Sequence, residues 1–251
     1  MSASLARETR RTPLTGSPFV RTLAALNDAP APDGPDAFAQ RLAGWLAWTD
    51  AFSLSAALVD ANVRPDVPAF GGLGAVTADE RELARVRAAL AKTIADAPAG
   101  TPPRRPQRPL AGAVAPSDMP VDFATYRQRY GQCQLAMETQ IVPLRRRLRS
   151  TLADRSLALA TLAELDTVME QVVGARERTL LATVGAQLEP RFEQLRDAAG
   201  APQPAAAHQP APWLAQFHQE MRGLLLAELD LRLQPVEGLL EACRLSLSDR
   251  S

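Results

Sequence analysis

The 251-residue chain carries 28 basic and 28 acidic side chains, so no global field draws it to nucleic acid and no acidic tail is present. Hydrophobic residues make up 46% of it and aromatics 5%, enough for a real core of one or two domains, with alanine, leucine, arginine and glutamate favouring helix over sheet. Two cysteines, Cys133 and Cys243, fall inside helical patterns with no close partner, as expected of reduced core thiols in a cytoplasmic protein. No signal-peptide core and no apolar run of membrane-spanning length is read, which argues against secretion and integral membrane insertion.

Residues 1–14 are polar and arginine-containing, read as a flexible terminus. The N-terminal helical region, 15–96, begins at Ser17-Pro18, because proline suits the first helical position. Phe19, Leu23 and Leu26 share a face, and the helix ends near Asn27. A second helix spans about 36–61, capped by Asp36, with Phe38, Trp45 and Phe52 seven residues apart and Trp48 beside them. Core packing is the favoured reading of these rings; Trp45 and Trp48 are also candidates for partner binding. Residues 64–74 read as loop. A third helix covers 79–95, with Leu83, Val86, Leu90 and Ile94 on one stripe and Asp79, Glu80 and Glu82 at its start.

Residues 97–120 hold seven prolines and Arg104, Arg105 and Arg108, and read as an extended linker. The stretch the chain is organised around follows, at 121–198. It is one helical hairpin turning near Ala153, or one long helix kinked at Pro143. Its first half places Tyr126, Tyr130, Met137, Ile141, Leu144 and Leu148 on one stripe. Its second half offers Leu157, Leu162, Leu165, Val168, Met169, Val172, Leu180, Val184 and Leu188. Ser150, Thr151, Asp154 and Ser156 are candidate caps for the second half. Residues 199–212 form a Pro/Ala linker. Trp213 opens a C-terminal helix, 213–247, that packs on the hairpin through Leu229, Leu233 and Leu240. Heptad-like steps recur before and after Pro143, Pro190 and Pro235, in the sets Met137/Ile141/Leu148, Val184/Leu188/Leu195 and Leu229/Leu233/Leu240. The fold class is therefore all-α: an elongated, coiled-coil-like helical bundle with a long central hairpin and a small N-terminal helical region.

The sharpest charge feature is the run Arg145, Arg146, Arg147 and Arg149 around Leu148. Such a run can hold the phosphates of nucleic acid or of lipid headgroups. However, residues 121–150 carry six arginines against two acids, while 151–200 carry five against eight. In an antiparallel hairpin the run faces Glu164, Asp166 and Glu170, and interhelical pairing is the favoured reading; the four arginines stay candidates for partner binding. His208 and His218 have no cysteine or carboxylate cluster beside them and read as structural or exposed, not as metal ligands. Gly71-Gly72-Leu73-Gly74 lacks a preceding strand and a following lysine, so it is no phosphate loop. No catalytic motif, cofactor fingerprint or small-molecule substrate site is apparent.

Three segments carry a family resemblance. They are Phe38-Ala39-Gln40-Arg41-Leu42 with Trp45-Leu46-Ala47-Trp48-Thr49-Asp50, then Ala175-Arg176-Glu177-Arg178-Thr179-Leu180-Leu181, and Leu226-Ala227-Glu228-Leu229-Asp230-Leu231-Arg232-Leu233-Gln234-Pro235. In these the chain resembles an uncharacterised proteobacterial family of the domain-of-unknown-function type. The resemblance implies a bacterial source and a unit of conserved length; it brings no functional residues with it. The expectation is a non-enzymatic structural or adaptor protein acting through helix–helix association, with a protein partner or self-association and no cofactor. The alternatives are a nucleic-acid-binding accessory protein using its arginine clusters, or a peripheral membrane component.

Overall fold

The computed structural model describes residues 17–27, 55–56, 73–97, 122–200 and 211–248. Among these the structure is helical, without strands. The helices are α1 (Pro18–Leu26), α2 (Leu73–Asp96), α3 (Phe123–Ala153), α4 (Leu157–Val184), α5 (Glu189–Ala198) and α6 (Pro212–Ser248), with a 3-10 turn at Ala186–Leu188 between α4 and α5. The predicted helix at 36–61, with Trp45 and Trp48, lies outside the described residues apart from 55–56. So do residues 98–121 and 201–210 of the two proline-rich stretches, with Arg104, Arg105, Arg108 and His208.

The central segment is a hairpin. Asp122 caps α3, its carboxylate accepting from the Ala124 amide at 3.0 Å. At 31 residues α3 is about 46 Å long at ~1.5 Å per residue. It passes through Pro143 as one helix and ends at Ala153, and the turn before Leu157 removes the reading of a single long helix kinked at Pro143. Of the candidate caps, the chain uses Ser156, whose hydroxyl accepts from the Leu159 amide at 3.3 Å. Thr151 instead donates back to the Arg147 carbonyl inside α3. The turn is therefore three residues, 154–156. Pro235 likewise lies inside an unbroken α6. Only the middle proline accompanies a break: α4 ends at Val184, and Pro190 sits in the first turn of α5. At the break the Tyr130 ring lies against Gly185, where a Cβ would come within 3.4 Å of it. Gly200, at φ 70°, closes α5 in the left-handed conformation that glycine adopts without strain.

Helix direction follows from which residues meet. Arg145 pairs with Asp166 and Gln134 with the Leu181 carbonyl, so α3 and α4 are antiparallel. Tyr126 meets His218 and Tyr130 meets Glu228, numbers that rise together, so α3 and α6 run parallel. Arg87 reaches Glu237 and Arg244 reaches Glu80, which sets α2 antiparallel to α6. The result is a four-helix arrangement in which α3 and α6 form the central pair, with α4 on one side and α2 on the other. Helices α1 and α5 pack against the first turns of α6. Every other described helix touches α6, so the last helix is the hub of the bundle and not simply a lid on the hairpin.

One continuous core joins these helices, from Phe19 through Leu90 to Cys243. All three heptad-like sets are buried: Met137, Ile141 and Leu148; Val184, Leu188 and Leu195; Leu229, Leu233 and Leu240. Burying one such side chain contributes roughly 1.5–3 kcal/mol. At the end where α6 starts, Phe123, Tyr126, Phe192, Trp213 and Phe217 form a ring cluster with centroids 5.0–6.4 Å apart, mostly tilted or edge-on as ring quadrupoles favour.

Two expectations need correction. The stripe predicted for α4 is buried only in part: Val184, and Leu188 just beyond its end, face the core as expected. Leu159, Ala163, Gly174, Leu181 and Val184 face the core, Leu157, Leu162, Leu165, Val168, Met169 and Val172 are half-buried, and Leu180 is 52% exposed. Helix α4 carries apolar residues on more than one face, so periodicity alone permits several rotations. The orientation adopted sets Asp166 and Glu170 against Arg145 and Arg149. The helix predicted at 79–95 starts six residues early, at Leu73, because the core extends to Val76 and draws the glycine-containing stretch into its first turn.

Candidate functional site

The most concentrated polar constellation lies across α3, α4 and α6, and it is internal. Glu228 has no exposure, yet it sits in an apolar run between Leu225 and Leu229. A carboxylate there must be paired, and each of its oxygens is. The Tyr130 hydroxyl donates to Oε2 at 2.7 Å. The Gln134 amide donates to Oε1 and Oε2 at 3.0 and 3.2 Å, and to the Leu181 carbonyl at 2.8 Å. Arg232, one turn along α6, donates to Oε1 from Nε at 2.9 Å. Helices α3 and α6 are thereby tied to one carboxylate, and Gln134 links it on to α4. Burial, then the Glu228 charge, drives the Tyr130 hydroxyl far above its ordinary range, so it stays a donor. Burial and Glu228 also raise the Cys133 thiol, which keeps it protonated. A sealed, paired carboxylate between a neutral phenol and a guanidinium cannot take a proton from a substrate. This layer fixes the relative height of the helices.

Beside it is a cleft of about 70 Å³ whose lining includes Met137, Ile141, Arg145, Glu170, Gly174, Arg178, Arg232 and Pro235. It is large enough for about two waters, at ~30 Å³ each. Glu138 and Glu177 also line it, so three acids balance three arginines and it offers no surplus charge for an ion. Larger hollows are open grooves, one between α1 and α6 and one between α2 and α6.

The arginine run divides according to helix face. Arg145 grips Asp166 through Nε and a terminal nitrogen at 2.9 and 2.6 Å. Arg149 reaches Asp166 and Glu170, both at 2.6 Å, and the Asp166 carbonyl at 3.1 Å. Burial acts to raise the Asp166 carboxyl, but the two arginines outweigh it and hold the group below its usual range. Arg145 and Arg149 are 15% and 11% exposed, so their charge is spent inside the hairpin. Arg147 turns to α2 and lies 3.5 Å from Glu82, and Arg146 is exposed. The structure thus brings together Arg145 and Arg149, turns Arg147 of the same helix toward α2, and leaves Trp45 and Trp48 outside the described residues.

His218 sits in the aromatic end, its Nε2 3.2 Å from the Tyr126 hydroxyl. Burial, then Arg129, lowers its pKa, and the ring is neutral at pH 7. Both cysteines are free and buried. Among the described residues no group of three or more His, Cys, Asp or Glu side chains is placed to hold a metal ion. No described helix is long and apolar enough to cross a membrane. The Glu228 layer is absent from the candidates found by spacing; its signal was a lone acid on an otherwise apolar stripe with an arginine four residues on.

On the hairpin, Leu135 of α3 and Leu180 of α4 are 64% and 52% exposed.

The model of one family, described as "Protein of unknown function (DUF3348)", matches residues 5–245. No curated protein and no solved structure matches the chain.

Proposed function

The chain belongs to the DUF3348 family, proteins of unknown function, and from that premise we propose a non-enzymatic structural or adaptor role exercised through helix–helix association. The observation that carries it is the way the hairpin distributes its side chains. Arg145 and Arg149, the best candidates for phosphate recognition, turn inward onto Asp166 and Glu170, while a large leucine on each of its helices, Leu135 and Leu180, is exposed. Exposed apolar side chains on a helical hairpin suit contact with a helix from a partner protein or from a second copy. The test is sedimentation velocity and affinity capture with the wild-type chain and with L135D/L180D. Association that the double variant abolishes at an unchanged melting temperature supports the reading. Submicromolar, steeply salt-dependent nucleic-acid binding would replace it, as would binding to anionic vesicles or turnover of a substrate.

A further inference from the structure

Arg155 is the second residue of the three-residue hairpin turn, and it is 4% exposed. Both terminal amino groups of its guanidinium are sealed from solvent, and neither has a hydrogen-bond acceptor. The other arginines that face inward behave differently: Arg145, Arg149 and Arg232 each hold a carboxylate. Arginine cannot escape burial by losing its proton, so a sealed guanidinium needs a counter-charge. Among the described residues no carboxylate is paired with it. Asp79 and Arg155 both lie close enough to Cys243 to act on its thiol, with opposite sign, yet Arg155 makes no ion pair with Asp79. Asp154, next in the chain, is exposed. Water would satisfy the N–H groups and leave the charge.

We propose that Arg155 anchors an anion site at the tip of the hairpin, taking a small free oxyanion of the phosphate class. Two amino groups with four unused N–H bonds match an ion that presents several oxygens. The chain enters α4 directly after Arg155. Ser156 caps the Leu159 amide, while the Leu157 and Ala158 amides belong to the first turn, which has no intrahelical acceptors and the positive end of the helix dipole. Sealing decides between a free ion and a partner's side chain. A tethered carboxylate cannot reach amino groups with no solvent contact, whereas a small ion enters when the 154–156 turn shifts.

The experiment is thermal melting of the full chain in sodium phosphate against sodium chloride at matched ionic strength, for wild type, R155M and R146M. Wild type gains about 3 °C, saturably, at roughly ten times the dissociation constant. R155M melts at or above wild type in chloride, since an uncompensated charge is gone, and loses the phosphate response. R146M, altered at an exposed arginine of the same hairpin, keeps it. Three results overturn the proposal: no saturable response in wild type, a response that survives in R155M, or an R155M that melts well below wild type in chloride.

Discussion

Removing the Glu228 carboxylate tests whether one buried acid sets the height of three helices. In E228A the Tyr130 hydroxyl, with no exposure, loses its acceptor, and Arg232, 13% exposed, loses the carboxylate it pairs with. Gln134 keeps the Leu181 carbonyl. An orphaned buried hydroxyl costs about 1–3 kcal/mol, and breaking a buried ion pair on one side costs about 3–5 kcal/mol in total. We therefore expect a loss of about 3–5 kcal/mol. For a chain of this size that is a fall in Tm of roughly 6–20 °C. Urea unfolding followed by far-UV circular dichroism measures the loss, with Y130F and Y130F/E228A completing a cycle. Y130F alone costs about 1.5–3 kcal/mol, the range for a hydrogen bond to a charged group. The double variant costs less than the sum by more than about 1 kcal/mol, because with the carboxylate gone the hydroxyl has nothing left to lose. The triple variant Y130F/E228M/R232M recovers most of the loss, since an apolar layer replaces a polar one without leaving an orphan. An E228A protein within about 1 kcal/mol of wild type, or an additive cycle, refutes this account of the layer.

Two further outcomes concern pH. The His218 pKa is lowered in the folded state by burial and by Arg129, so the unfolded chain takes the proton first. Stability from this group is present above the ordinary value of 6.5 and is lost as pH falls below it; the urea midpoint of wild type drops between pH 7.5 and 5.5, and that of H218Q drops less. An equal drop in both proteins removes His218 as the cause. Asp166 is also lowered, so its contribution is present above its ordinary value of 3.8 and lost as pH falls below it. D166N costs about 2 kcal/mol at pH 7, less than a fully buried pair because Glu170 remains for Arg149, and the difference from wild type narrows as pH falls below 3.8. A D166N deficit that persists unchanged in acid shows that packing, not charge, is at work.

The helical class, the three proline-associated apolar sets and the pairing of the arginine run with the acids across the hairpin were legible in the sequence. Each depends on spacing along a single helix or on a charge imbalance between two halves, and 3.6-residue geometry converts both into faces. The α4 stripe was not legible, because Leu180 and Leu181 are equally apolar neighbours and only the docked α3 and α6 decide which turns inward. Nor was the path through Pro143 and Pro235, where the same residue that breaks a helix beside Gly185 is carried inside one elsewhere. Glu228 shows the division most clearly. The sequence sets a carboxylate among leucines and an arginine one turn away, which is a local fact. That Tyr130 and Gln134, nearly a hundred residues earlier, complete its shell is a property of α3 and α6 lying parallel, and parallel helices are joined by long connections that no local pattern encodes.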